Sequence, residues 1–310
     1  MITLGADPEC WIKDAKGMIV PASGLIPGTK DKPHPVKNGA IQVDGLAAEF
    51  NIDPASCADE FVYNIETVKA QLQDILNEHD KGYTLAFYDT VKFMPSHFKA
   101  FPAESKVIGC DPDFIILKRY SRNHNKYLVS EMQREVPYMP DHTRFAGGHV
   151  HVGGIYADYD DDASKTAKRT HIVNTFESRM PNVWQAIKNR TDKEVDRVTY
   201  ENTTRKGVAA TMDYNGGTRR YSEYESQICY RPKSYGIELR NFPNFWVANP
   251  DFIKRVWDYT MEGVLKALFT FHHVEDVSPL NSARIPKDEQ VKLFDYIKSD
   301  IASAPYQFGK

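Results

Sequence analysis

Over the first 55 residues, apolar positions come in short extended runs that Gly and Pro interrupt. Leu25-Ile26-Pro27-Gly28-Thr29-Lys30 and Asp31-Lys32-Pro33-His34-Pro35 are examples. The period then lengthens. Phe61, Ile65, Val68, Leu72 and Leu76 recur at helical spacing, and Ser56 with Asp59 has the form of a capping box, so a helix is predicted here. Residues 83–93, 105–118 and 145–156 alternate or run apolar and predict strands. Acidic residues from Asp158 to Asp162 precede a second predicted helix over 164–179, which Pro181 should kink or restart. Residues 190–235 are polar, aromatic and Arg-rich, contain Gly216-Gly217, and predict long loops with short strands. A strand pair is expected within 228–245. Asn249-Pro250 then opens a third helix, with Asn as N-cap and Pro at the first position. His272 and His273 read as surface or capping groups after that helix, and a fourth helix is expected near 287–302. Strands dominate the first half and helices enter singly, without a βαβ rhythm. The expected class is α+β, a mostly antiparallel sheet flanked by helices. Without a Gly-, Ser- or Pro-rich linker to divide it, the chain reads as one domain, 1–310.

Composition narrows the function classes. With 310 residues, 41% apolar and 26% charged, the chain can bury a sizeable core. A net charge of −3 argues against a broad nucleic-acid surface but leaves room for a local basic cleft. Apolar runs fall well short of the roughly 18 residues of a membrane span. Met1 to Asp7 lacks the basic start and apolar stretch of a leader peptide, so a cytoplasmic protein is expected. Cys10, Cys57, Cys110 and Cys229 are scattered without a C-x-x-C pair, which favours reduced thiols over disulfides or a zinc site.

Four constellations carry candidate chemistry. In Asp7-Pro8-Glu9 the two carboxylates share one face of a strand, and Pro8 marks an edge or bulge that can re-aim them. The segment Leu4–Glu9 is echoed at Ile108–Asp113, so Asp111 and Asp113 repeat the pair. A solvated turn is the plainer reading of either copy. Glu49 lies in the apolar run of Asp44–Asn51, where a lone carboxylate is costly; a bulge at Gly45 could bring Asp44 to its side. Alternatively Glu49 is a single solvent-facing acid. In Gly147-Gly148-His149-Val150-His151-Val152-Gly153-Gly154 the two imidazoles share a strand face, suited to a metal or a phosphate, or else form a structural core pair. In Gly236-Ile237-Glu238-Leu239-Arg240, Glu238 and Arg240 share a face, as a site or as an in-strand ion pair. Arg231, Arg219 and Arg220 add guanidinium groups able to grip phosphate or carboxylate.

If Asp7, Glu9, Glu49, Asp113 and Glu238 face one cavity, cations are required. Two like charges about 6 Å apart repel by roughly 3 kcal/mol at an effective dielectric near 20. Carboxylate-rich ligation with one or two imidazoles suits Mg²⁺ or Mn²⁺ better than Zn²⁺. With the arginines, this describes a site for a metal-bound polyphosphate. The P-loop and Rossmann glycine patterns are both missing from the sequence.

In this order the segments resemble the carboxylate–amine ligases of glutamine synthetase-like fold, most closely the phage-type amidoligases. The resemblance rests on Gly5–Glu9, Pro27-Gly28-Thr29-Lys30, Asp44–Asn51, Gly109–Phe114, Gly148–Gly153, Gly236–Arg240 and Phe245-Trp246. It implies a glutamine synthetase catalytic-domain-like fold, two divalent metals, and ATP-dependent amide formation through an acyl phosphate. Carried over position by position, it assigns Asp7, Glu9, Glu49, His149 and Glu238 to the metals, with His151 the alternative histidine. Arg240 matches the phosphate-contacting arginine, and Lys30 is a further ligand contact. His151, Arg231 and Arg219 join Arg240 and Lys30 as expected ATP contacts. Asp7 stands where glutamine synthetases carry Glu.

The expected partners are ATP, a carboxylate substrate and an amine substrate: an amino acid, peptide or protein side chain. An oligomer is possible, and a phage-encoded protein would work in the host cytoplasm. Arg240 would neutralise charge on the transferred phosphoryl group, and Asp113 or Asp44 would take the proton of the incoming ammonium. Residues 203–224 are the expected lid against water. Two rival classes are a metal-dependent hydrolase using the His-x-His and the acids, and a non-catalytic virion-associated protein.

Overall fold

The computed structural model describes residues 1–79, 82–87, 90–107, 113–121, 126–134, 142–188, 223–225, 229–240 and 242–273. Its frame is a strand, β1 (Thr3–Lys13), on which apolar and polar positions alternate. Leu4, Ala6, Cys10 and Ile12 are buried on the core side, so Gly5, Asp7 and Glu9 emerge on the opposite face. The expected short runs here are one strand of 11 residues. After β2 (Ile19–Val20) and β3 (His34–Val36), a hairpin joins β4 (Gly39–Asp44) to β5 (Ala47–Ile52). The turn is Gly45-Leu46, with Asp44 opposite Ala47 and Gly45 at φ +57°. A tight turn with positive φ favours glycine. The expected bulge at Gly45 is therefore a hairpin turn.

Helix α1 (Ala58–His79) buries Phe61, Ile65, Val68, Leu72 and Leu76, as its spacing predicts. Its start differs from expectation. Glu60, not Asp59, reaches back to the Ser56 backbone N–H at 2.6 Å and hydroxyl at 2.9 Å. The expected strand over 83–93 is two short strands, β6 (Thr84–Ala86) and β7 (Thr90–Lys92). Helix α2 (Pro95–Ala100) and a 3-10 turn (Glu104–Lys106) follow, so a strand starts later than residue 105. It is β8 (Asp113–Ser121), paired along its length with β9 (Lys126–Arg134), a strand the sequence reading missed. β10 (Thr143–Phe145) and β11 (Gly148–Gly153) divide the expected strand over 145–156.

Helix α3 (Asp162–Lys188) continues through Pro181 rather than restarting, because a proline removes only one backbone bond from a long helix. β12 (Glu223–Glu225), β13 (Tyr230–Lys233) and β14 (Gly236–Leu239) precede α4 (Pro250–His273). The Asn249 side chain accepts from the Asp251 N–H at 2.8 Å, which is the expected N-cap. His272 and His273 are the last residues of α4 rather than following it. The expected helix over 287–302, Gly216-Gly217, Asp111, Arg219 and Arg220 lie outside the described residues, as does all of the expected lid except Glu223 and Tyr224.

The class is α+β. Among the described residues, twelve strands form one sheet whose main path runs β12-β8-β13-β14-β11-β1-β5-β4-β3, with antiparallel pairing throughout this path. Leu4, Phe50, Ile52, Val150, Val152, Ile237 and Leu239 join the apolar sides of α1, α3 and α4 in one core. Phe61 stacks on Trp246, centroids 6.0 Å apart, in the middle of it. A smaller aromatic cluster of Trp11, Phe93 and Phe101 packs beside the β4–β5 turn residues Leu46 and Ala47. Cys10, Cys57 and Cys229 are free thiols, and burial pushes the Cys10 thiol up to about 12. Among the described residues, no helix is long and apolar enough to cross a membrane.

Candidate metal centre

Pairing register alone places the polar groups together, because residues directly opposite in an antiparallel pair share a face. Asp7 lies opposite His149 and Gly5 opposite His151. His151 lies opposite Glu238, and Glu238 opposite Arg231. Glu9 lies opposite Glu49, and Glu49 opposite Gln42. One sheet face thus presents carboxylates and imidazoles, while the other is core. β1 is central, not an edge. Between the Leu4–Ala55 bridge and the Glu9–Glu49 pair β1 advances five residues and the chain of β5 six, so the extra residue lies on the β5 side rather than at Pro8. Pro8, which has no N–H to give, sits where that ladder breaks.

The acids resolve into two clusters. Ligand atoms of Asp7, His151 and Glu238 all lie within 4.8 Å of one another, and so do those of Glu9, Asp44 and Glu49. Adjacent alternate residues of β1 therefore feed one cluster each. Asp44 joins Glu49 because both sit on the same face at the end of a hairpin. The backbone anchors the clusters. Gly147 N–H donates to Glu9 Oε2 at 2.8 Å, and Asn244 Nδ2 donates to the Glu9 carbonyl at 2.9 Å. Trp246 Nε1 donates to the Gly148 carbonyl at 3.1 Å, which ties β11 to the turn before α4. A Cβ at Gly147 would lie 2.2 Å from His149 Nε2, so the glycine gives that ring its place.

The two histidines differ. His151 Nε2 lies 3.0 Å from Asp7 Oδ1, and its Nδ1 lies 2.5 Å from the Tyr235 hydroxyl. His149 is enclosed, with Nδ1 3.4 Å from both Asp7 Oδ1 and Arg240 Nη1. The sequence reading put His149 first for a metal and kept His151 as the alternative beside a nucleotide role; the geometry groups His151, not His149, with Asp7 and Glu238.

Positive charge surrounds the first cluster. Glu238 is fully buried and contacts the Arg240 guanidinium directly, with Lys233 Nζ 2.8 Å away and Arg231 Nη1 3.8 Å away. Arg240 Nε also lies 2.8 Å from Asp113 Oδ1, and Arg231 Nη2 3.7 Å from it. Asp113 is thus held by arginines, apart from both clusters. Lys30 is exposed in the turn closed by reciprocal Thr29 and Lys32 backbone bonds. Gly28 in that loop accepts from the Val43 N–H, next to Asp44.

Ionisation follows these neighbours. Burial alone would raise the Glu238 carboxyl, yet Arg240 above all draws it down to about 2. Burial is likewise overcome at Asp7, where His151 and then His149 hold the carboxyl well below its usual value. Burial and then Arg240 push His149 down to about 4 and keep it neutral. At His151 burial works downward, but Asp7 and Glu238 raise it overall. Glu49 goes the other way from Asp7. Burial, then Asp7, Glu9 and Asp44, raise its carboxyl well above the ordinary range, and a hydrogen bond from Gln42 only partly offsets them.

The donors fit a hard divalent cation. Asp7 Oδ1, His151 Nε2 and Glu238 Oε2 are buried and lack an aligned hydrogen-bond partner, although Asp7 and His151 face each other and Lys233 approaches Glu238. Inward-facing donors left unaligned are what a shared ion would satisfy. Five carboxylates and an imidazole suit Mg²⁺ or Mn²⁺.

Sequence reasoning missed Lys233, Tyr235, Gln42 and Asn244. The alternation Arg231, Lys233, Tyr235 was a visible signal for the first two, and Gln42, Asp44 for the third. Asn244 carried none. The chain matches no protein-family model, and no curated protein is significantly similar to it.

Proposed function

We propose that this chain is an ATP-dependent carboxylate–amine ligase that forms an amide bond through an acyl phosphate, using two divalent cations. The observation that carries the reading is the pair of three-donor clusters side by side on one sheet face, bordered by Arg240 and Arg231. The resemblance of the same segments to glutamine synthetase-like amidoligases supports it independently of the geometry. Asp7, His151 and Glu238 would hold one cation, and Glu9, Asp44 and Glu49 the other. Bound cations would neutralise the phosphate oxygens of ATP and the charge that grows on the transferred phosphoryl group.

The chain's own groups supply the rest. Arg240 is held cationic by Glu238 and Asp113, so it presents fixed positive charge beside the cluster at no reorganisation cost. Asp113 orients Arg240 and Arg231 rather than standing free for protons. Asp44, half-buried at the end of its hairpin strand, is taken up by the second cation in this reading, so neither expected base is available for the proton of an incoming ammonium. Holding both substrates on one rigid sheet face supplies the positioning on which phosphoryl transfer depends.

The test is calorimetric titration of ATP with and without Mg²⁺, beside Glu238→Ala. Metal-dependent ATP binding that the substitution abolishes supports the ligase; ADP release then screens acid and amine pairs. No ATP binding at high protein concentration overturns it, and leaves a metal-dependent hydrolase or a non-catalytic binding protein as the reading.

A further inference from the structure

The hairpin arm formed by β13 and its turn carries Arg231, Lys233 and Tyr235 at alternate positions, all directed at the first cluster. Arg231 and Lys233 face Glu238, whereas Tyr235 faces His151. The Tyr235 ring stacks on the imidazole at 16°, with centroids 6.0 Å apart. Its backbone is pinned too, because the Gly154 N–H donates to the Tyr235 carbonyl at 3.1 Å. The phenol is thus held in place over the histidine although the residue is 46% exposed.

A neutral imidazole carries one N–H and one lone pair, and what one nitrogen does decides what the other offers. Two arrangements satisfy the short Nδ1–hydroxyl contact. In the first, Tyr235 O–H donates to Nδ1, and Nε2–H must find its acceptor in Asp7. In the second, Nδ1–H donates to the Tyr235 oxygen, and the Nε2 lone pair faces the cluster. The first directs Nε2–H at Asp7 Oδ1, 3.0 Å away, and closes that nitrogen to a cation. The second leaves the Tyr235 hydroxyl hydrogen to solvent, which the exposed residue allows. A ligand histidine typically passes its other N–H to an acceptor that fixes its tautomer.

We propose that Tyr235 is a positioning residue that accepts the Nδ1–H of His151 and thereby turns the Nε2 lone pair toward Asp7 and Glu238. The proposal rests on reading that cluster as a cation site, and its two halves can be tested apart.

The first measurement is the tautomer itself. Protein labelled with ¹⁵N-histidine is recorded by long-range proton–nitrogen correlation near pH 9, where the imidazole is neutral, and His151 is assigned by its loss in His151→Gln. The expected result is a proton on Nδ1 in the Mg²⁺-loaded protein, where the cation takes the Nε2 lone pair. A proton on Nε2 in the Mg²⁺-loaded native protein overturns the proposal. The second measurement is Mn²⁺ affinity by electron paramagnetic resonance at neutral pH. Tyr235→Phe keeps the ring stack and should leave the thermal midpoint unchanged. It should mix the His151 tautomers and weaken Mn²⁺ binding by about tenfold. A variant with native tautomer and native affinity overturns the proposal. If the native protein takes up no Mn²⁺ but keeps the Nδ1–H form, the cation reading falls and the Tyr235–His151 assignment stands.

Discussion

The two acid clusters are built from the same strand and face, yet the chain treats their charge in opposite ways. Around Asp7, His151 and Glu238 it supplies its own cations. Arg240 and Lys233 approach Glu238, two imidazoles approach Asp7, and both carboxyls are held low. Around Glu9, Asp44 and Glu49 the neighbouring acids dominate, and the Glu49 carboxyl is held high. One cluster is neutralised internally and keeps its shape without a ligand. The other stores repulsion that a bound cation would relieve. The physical lesson is that donor number does not rank two sites; the balance of resident charge does. The second cluster should gain more stability from the first divalent ion bound.

Arg240→Met should break the first half of this comparison most severely. It leaves a fully buried Glu238 and the nearly buried Asp113 without their shared guanidinium. Removing one partner of a buried pair costs about 3–5 kcal/mol. Urea unfolding in chelator at pH 7 should show a loss of that size. The pH dependence gives the sign. The folded Glu238 carboxyl, at about 2, lies below its ordinary value, so its contribution is present above about pH 4.5 and is lost as pH falls toward 2. That acid-side loss should shrink in the variant. A variant as stable as the native protein would show that Arg240 does not neutralise the first cluster.

Glu49→Gln should move stability the other way. The folded Glu49 carboxyl lies above its ordinary value, so the native protein binds the extra proton and carries a penalty as that proton leaves. The penalty starts as pH rises past about 4.5 and is complete above the folded value. In chelator at pH 8, the variant should melt about 2 °C or more above the native protein by calorimetry. It should also gain less from added Mg²⁺. A lower midpoint instead would mean that the second cluster is already neutralised within the chain, and the contrast between the clusters would collapse.

How much of this could be read from the chain follows from which contacts are local. Spacing by two put Asp7 with Glu9, His149 with His151, and Glu238 with Arg240 on common faces; strand register agrees for the first two, and the direct Arg240–Glu238 contact for the third. The α1 stripe and the Asn249 cap were legible for the same reason. The split into two clusters was not. It depends on which distant strands lie side by side, such as Gly5 against His151 and Glu9 against Glu49, and no local pattern encodes that. Asp44 does meet Glu49 as expected, but by a different device, because Gly45 suits a bulge and a hairpin turn equally well by residue type. Only the pairing of Asp44 with Ala47 decides between them. Tyr235 escaped because it lies in the turn after β13, where the alternation that begins at Arg231 is easily taken to have ended. β9 escaped because its polar residues hide a strand whose place comes from pairing with β8.

Lys233→Met sharpens the comparison with the smallest effect. Its ammonium lies 2.8 Å from Glu238 Oε2 but is about one-third exposed, so water screens the pair. Such half-exposed ion pairs contribute about 0.2–1 kcal/mol. Methionine keeps most of the aliphatic stem and removes the charge that stands where a cation's charge would act. Mn²⁺ affinity at the first cluster should therefore rise about threefold, while the affinity of the second stays the same. A two-site isotherm in Lys233→Met, read beside Glu49→Gln to mark the second site, separates the two. Equal gains at both sites would make Lys233 a general field on the sheet face. A gain confined to one site makes it a resident competitor for the first cation, the local form of the charge balance that distinguishes the clusters.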